Sequence, residues 1–80
     1  MNSEKLKLLL EQGMPNSQAE ISGDDHTHFY ATVISDEFTG KSLLQRQRQV
    51  YACVDKELAS GELHALSLKT YTKQEWEERK

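Results

Sequence analysis

Only one cysteine, Cys53, is present, so no disulfide can form within the chain, as suits a reducing compartment. Proline is nearly absent too: Pro15 stands alone, and four glycines leave few positions where the backbone turns freely. No apolar run approaches the roughly 18 residues of a membrane-spanning helix. The start, Met1-Asn2-Ser3-Glu4-Lys5, has neither the charged opening nor the apolar stretch of a secretion signal. The expectation is a cytoplasmic protein with no membrane partner. An excess of basic charge is also missing. Net charge is −3, with two basic against seven acidic residues over 1–40 and six basic against three acidic over 41–73. Strong nonspecific nucleic-acid binding normally rests on a net basic domain and gains little support here. Gly40-Lys41-Ser42 ends like a phosphate-binding loop, but position 35 is serine where that pattern needs glycine, and no Gly-x-x-Gly clamp occurs. No nucleophile, base and orienting group stand in a recognisable arrangement, so a binding protein is expected rather than an enzyme.

What is present suits one small folded unit. A hydrophobic share of 36% beside 29% charged residues is that of a folded domain rather than a disordered chain. At 80 residues the expectation is a single domain over 1–80 with a modest core. Leu6, Leu9 and Leu10 repeat at helical spacing and predict a helix over 3–12, capped by Asn2 or Ser3 and stopped at Gly13. Residues 17–23 read as a weak strand and 28–35 as the strongest one. In the latter, Phe29, Ala31 and Val33 share one face and Tyr30, Thr32 and Ile34 the other. Gly23-Asp24-Asp25 between them suggests an antiparallel hairpin.

Residues 36–41 read as a connection. Ser42 and Gln45 form a capping box for a helix to about Ala59, with Leu43, Leu44, Val50, Tyr51, Val54 and Leu58 as its apolar stripe and Gly61 beyond its end. A third strand is predicted over 64–71. Thr72 and Glu75 then cap a short last helix carrying Trp76, which is expected to pack on the sheet. This composition and order predict an α+β fold, a three-stranded sheet covered by helices, with strand order left open by the spacing.

Three histidines are candidate ligands. His26 and His28 are two apart and point the same way on a continuous strand, and His64 opens the third strand in phase with Leu66 and Leu68. Either a hydrogen-bonded structural histidine or a metal ligand fits His64 on this pattern. Cys53, inside a helix beside Val50 and Val54, reads as a small buried hydrophobe. Lys41, Arg46 and Arg48 are candidate nucleic-acid contacts, though Arg46 and Arg48 face different sides of their helix and such charges commonly form a solvated face.

Phe38-Thr39-Gly40-Lys41-Ser42-Leu43-Leu44-Gln45-Arg46-Gln47-Arg48-Gln49-Val50-Tyr51, followed by His64-Ala65-Leu66-Ser67-Leu68, resembles the BolA family. The resemblance covers roughly residues 18–76. It implies an αββααβ arrangement similar to the type II KH fold, a three-stranded mixed sheet with helices packed on one face, and a short helix at about Ser35–Gly40. It also implies a metal role for His64, which matches the family's histidine at the start of the last strand, and for His28, which matches the loop position where members carry histidine or cysteine, with His26 as the alternative. Family members pair with monothiol, CGFS-type glutaredoxins around a shared [2Fe-2S] cluster. By that likeness His28 and His64 would supply two ligands, and the glutaredoxin cysteine and glutathione the others. The isolated protein would then hold no cofactor and be a monomer or weak homodimer. Imidazole ligation would raise the cluster's potential and make binding pH-sensitive. The implied role is iron–sulfur cluster assembly, trafficking or iron homeostasis. The other role proposed for the family is DNA-binding regulation of stress response and morphology, which here would use Lys41, Arg46 and Arg48.

Overall fold

The computed structural model describes residues 1–23 and 28–79. His26, and the Asp24-Asp25 part of the expected turn, lie outside the described residues.

Helix α1 spans Ser3–Gly13, and the Asn2 side chain caps it by accepting from the Lys5 N–H at 2.8 Å. Strands β1 (Ser17–Ser22) and β2 (His28–Ser35) pair antiparallel, with Ala19 opposite Val33 and Ile21 opposite Ala31. A single 3-10 turn, Asp36–Phe38, stands where the family resemblance places its short helix. Helices α2 (Leu43–Ala52) and α3 (Asp55–Ser60) follow, then β3 (Ala65–Tyr71) and α4 (Lys73–Glu78). Strand order is β1-β2-β3, and β3 runs parallel to β2. A parallel neighbour requires a long crossover, which the segment from the 3-10 turn through α3 provides. The sheet is therefore mixed and the fold α+β. Among the described residues no helix is long and apolar enough to cross a membrane.

The strand faces fall as their alternation predicts. Phe29, Ala31 and Val33 of β2, with Ala19 and Leu66 beside them, form one buried cluster with Leu6 and Leu10 of α1, Met14 just after it and Val50 of α2. Each of the larger side chains among them, from valine to phenylalanine, contributes roughly 1.5–3 kcal/mol. Tyr30, on the far face, is 62% exposed. Ile34 departs from that face's open character at 4% exposure. It stands opposite Tyr71, on which Trp76 of α4 packs edge-on at 5.3 Å, so the last helix closes that end of the sheet.

The long helix expected from Ser42 to Ala59 is two helices. Val54 leaves the helical region (φ −130°, ψ 21°), and around it the N–H groups of Cys53 and Val54 reach back three residues, to Val50 and Tyr51. Val54 is fully buried, so the bend turns its side chain into the core, and α3 sets off on a new line. The expected apolar stripe also fails at its start. Leu43 and Leu44 are 63% and 55% exposed, because the first turn of α2 extends clear of the core that Val50 and Val54 enter. Both capping boxes form as expected, Ser42 with Gln45 and Thr72 with Glu75. Gly61 ends α3 in the left-handed conformation (φ 81°) that glycine takes without a Cβ penalty.

Both edge strands carry a side-chain cap. The Glu11 carboxylate accepts from the Ala19 N–H at 3.0 Å, and the Tyr51 hydroxyl donates to the Leu66 carbonyl at 2.7 Å. These contacts occupy outward backbone groups that would otherwise be free to pair with another strand.

Gly13 has a further role beyond stopping α1. A Cβ placed there would lie 2.5 Å from Cys53 Sγ and 2.9 Å from Cys53 Cβ, so α1 crosses the α2–α3 bend at a distance only glycine permits. Gly13→Ala would gain up to about 1 kcal/mol of helix propensity in an open helix. Here the expected net result is a loss of about 1–2 kcal/mol from the forced contact. Urea denaturation checks it, with Cys53→Gly added to Gly13→Ala expected to recover much of the loss. Equal stability of Gly13→Ala and the parent would contradict the close approach.

Candidate metal centre

His28 opens β2, and His64 immediately precedes β3. Because the two strands are parallel and His28 stands opposite Ala65, both enter the sheet at the same end. The parallel register therefore brings together two histidines that are far apart in the chain. Their ring centres are 6.3 Å apart, with the planes at 80°. Both residues are exposed. Side chains two apart on a strand share a face, so Tyr30 lies on the same open face as His28.

The approach to His64 is held from both sides. Leu63, just before it, is fully buried, and its N–H donates to the Glu57 carbonyl at 3.1 Å. The Lys5 ammonium donates to the Glu62 carboxylate at 2.5 Å, tying the segment to the start of α1. That hydrogen bond raises the Lys5 ammonium above its ordinary value and holds the Glu62 carboxyl below its own, so both stay charged across the neutral range. Nothing local in the sequence marks this pair. Lys5 and Glu62 are distant in the chain and each looks like an ordinary surface charge.

Among the described residues, no group of three or more His, Cys, Asp or Glu side chains converges as a metal site. The described histidines form a pair, two imidazoles brought edge-to-face. Imidazole nitrogen suits zinc, copper, nickel and iron, but two donors leave a tetrahedral ion half-coordinated.

Cys53 is not part of this site. It is half-buried at the α2–α3 bend, and its thiol faces the Gln49 carbonyl at 3.6 Å. Burial, then the nearby Glu37 and Asp55 carboxylates, push the thiol pKa up, which keeps it protonated and unreactive.

The three candidate nucleic-acid contacts do not form one surface. Arg46 is largely engaged within the fold. Its Nε donates to the Lys41 carbonyl at 3.0 Å, its guanidinium forks onto Glu75 at 2.7 and 3.3 Å, and it lies over the Phe38 ring at 5.8 Å from the centroid. The Arg46 hydrogen bonds, with those from the Thr72 cap, hold the Glu75 carboxyl below the usual carboxylate range. Arg46 thus links α2 to α4. The Lys41 ammonium donates to the Gln49 amide oxygen at 2.6 Å. Arg48 is exposed.

Comparison with known proteins agrees with this architecture. The family model described as BolA-like protein matches residues 1–75. An uncharacterized protein in the rpoN-murA intergenic region of Acinetobacter guillouiae is 37% identical over 76 residues, 95% of this chain and 90% of that protein. The DNA-binding transcriptional regulator BolA of Escherichia coli is 40% identical over 57 residues, 71% of this chain and 53% of that protein. Among solved structures, a bolA protein homologue from Coxiella burnetii superposes with a TM-score of 0.87 at 37% identity, covering 96% of this chain and 97% of that one.

Proposed function

The chain belongs to the BolA family, and from that membership we propose that it pairs with a monothiol glutaredoxin to hold a shared [2Fe-2S] cluster, in iron–sulfur cluster trafficking or iron homeostasis. The observation that carries this reading is the exposed His28–His64 pair, 6.3 Å between ring centres, with no third ligand beside it among the described residues. Two donors from one chain fit half the ligand set of a two-iron cluster, and a thiolate-bearing partner completes it. With two imidazole ligands such a cluster carries less negative charge than an all-thiolate one and has a higher reduction potential. The work of this chain is positional. The β2–β3 register sets the spacing of the two imidazoles, and Leu63 with the Lys5–Glu62 pair fixes the backbone that presents His64. The test is to mix the purified protein with cluster-loaded monothiol glutaredoxin and glutathione and follow visible absorption and circular dichroism. A new spectrum saturating at one-to-one stoichiometry is expected. An unchanged spectrum with no complex would overturn the reading.

A second reading is favoured by the relative named a DNA-binding transcriptional regulator. In this chain a DNA contact would fall on exposed Arg48 and on Lys41, since Arg46 is committed to Glu75. Duplex affinity should then fall steeply with salt, and Arg48→Ala should lower the slope of log affinity against log salt by about 1. An affinity that ignores both salt and Arg48→Ala would remove this reading.

A further inference from the structure

The sheet buries one face against α1 and α2 and turns the other outward. Two rows of side chains cross that outward face, Ser22, Tyr30 and Ser67 in one and Glu20, Thr32 and Lys69 in the next. We infer that this face takes single-stranded RNA, with Tyr30 stacking on a base and Lys69 and Lys73 holding the phosphate backbone. Tyr30 stands on the central strand and is 62% exposed. A ring held flat on a sheet and left in water offers a π-face on which any unpaired base stacks, and such stacking platforms are a common way for a sheet to hold single strands. A duplex cannot use it, because its bases are already stacked on one another. The exposed hydroxyls of Ser22 and Ser67 flank the ring, within the same row, and can pair with the 2′-hydroxyl that distinguishes RNA from DNA.

Charge is sorted across the face. Lys69 lies on β3, Lys73 starts α4 directly after that strand, and Glu20 lies two strands away on β1. With strands about 4.8 Å apart, cations line the β3 side and a carboxylate the β1 side. A phosphate backbone is drawn along β3, which points its bases inward over β2 and Tyr30. Among the described residues neither Lys69 nor Lys73 is in an ion pair, so both ammonium groups are free to meet phosphate. Two hollows follow this path. One of about 390 Å³ lies at Tyr30, Thr32, Ser67 and Lys69. The other, about 510 Å³, lies at the α4 end between Gln18 and Ile34 of the strands and Lys73, Trp76 and Glu77 of the helix. Tyr30 and Ile34 are four residues apart, about 13 Å along the strand, so the path spans more than one nucleotide. In the larger hollow the Gln18 amide and the Glu77 carboxylate meet the amino and carbonyl edges of a base. The Arg79 guanidinium, 3.5 Å over the Trp76 ring, adds a flat cation beside it. The net charge of −3 confines the attraction to this face. Lys41 and Arg48, the residues of the duplex reading, take no part in it.

The test uses the untagged full chain and a short fluorescein-labelled single-stranded RNA of mixed sequence. Anisotropy is expected to rise with protein at low salt, and the emission of Trp76, the chain's one tryptophan, to change with it. Tyr30→Ala should weaken binding about ten-fold, while Tyr30→Phe, which keeps the ring, should bind like the parent. Lys69→Ala should lower the slope of log affinity against log salt by about 0.7, the single-strand value for one phosphate contact. Both side chains are exposed, so each variant should keep the parent's thermal melt, which is checked alongside. Absence of binding at low salt, an affinity indifferent to Tyr30→Ala, or equally tight binding of single-stranded DNA or duplex RNA of the same sequence would overturn the inference. So would Tyr30 becoming protected from solvent by glutaredoxin with no response to RNA, which would make the face a protein contact. None of these results touches the shared-cluster reading, which rests on His28 and His64 and is scored by its own spectrum.

Discussion

His64→Ala is expected to abolish the mixed-ligand spectrum with glutaredoxin completely while leaving the fold intact. The side chain is exposed, and the backbone around it is held by Leu63, by the Lys5–Glu62 pair and by the β2–β3 ladder, none of which needs the imidazole. Surface substitutions of this kind shift stability by no more than about 0.5 kcal/mol. Removing one of only two donors, by contrast, leaves the chain a single ligand, and a single ligand gives neither chelation nor the spacing that a cluster requires. The measurement pairs a thermal melt with a cluster titration. An unchanged melt with no new spectrum is the expected outcome. If His64→Ala formed the parent's spectrum at the parent's stoichiometry, His64 would not be a ligand.

Phe38→Ala is expected to cost about 3–5 kcal/mol, the usual range for truncating a fully buried phenylalanine. Phe38 is completely buried although it sits in a 3-10 turn between a strand and a helix. Its ring lies under the Arg46 guanidinium, and Arg46 in turn holds the Lys41 carbonyl and Glu75 of α4. A cavity here loosens the crossover that lets β3 lie parallel to β2, and with it the meeting of His28 and His64. A chain of 80 residues has a total margin of roughly 4–12 kcal/mol, so this one change removes a large part of it. Urea unfolding should show a midpoint far below the parent's, whereas Phe38→Leu, which keeps most of the volume, should lose only about 1–1.5 kcal/mol. A Phe38→Ala midpoint close to the parent's would mean that the turn is not part of the core.

Phe38 also marks where reading the chain in one dimension stops. Residues 36–41 have no periodicity, so nothing in their composition says that one of them fills the core. Val54 is similar. The helical repeat runs unbroken through it, and only the gain from burying its side chain explains why the helix bends there. Leu43 and Leu44 err in the opposite direction, apolar in sequence yet exposed, because period alone does not show how far a helix extends past its sheet. Arg46 looked like a surface contact for nucleic acid, and its engagement with Glu75 became visible only once α4 was placed beside α2.

The sequence by itself determined the local features: the caps at Ser42 and Thr72, the alternation that buries Phe29, Ala31 and Val33, the glycine that ends α3, and the hairpin of β1 with β2, while the first helix's cap, open between Asn2 and Ser3, was decided for Asn2 by the structure. These depend on neighbours within a few residues, where hydrogen-bond reach and side-chain period act directly. Family likeness in the Phe38–Tyr51 and His64–Leu68 segments added which histidines to watch. Tertiary structure alone decided that β3 pairs with β2 in parallel with Ala65 opposite His28. Whether two histidines sit side by side or far apart depends on the direction and register of two strands separated by a whole crossover. Those are set by how the summed apolar faces of the helices and sheet fit together, which no short stretch of residues contains.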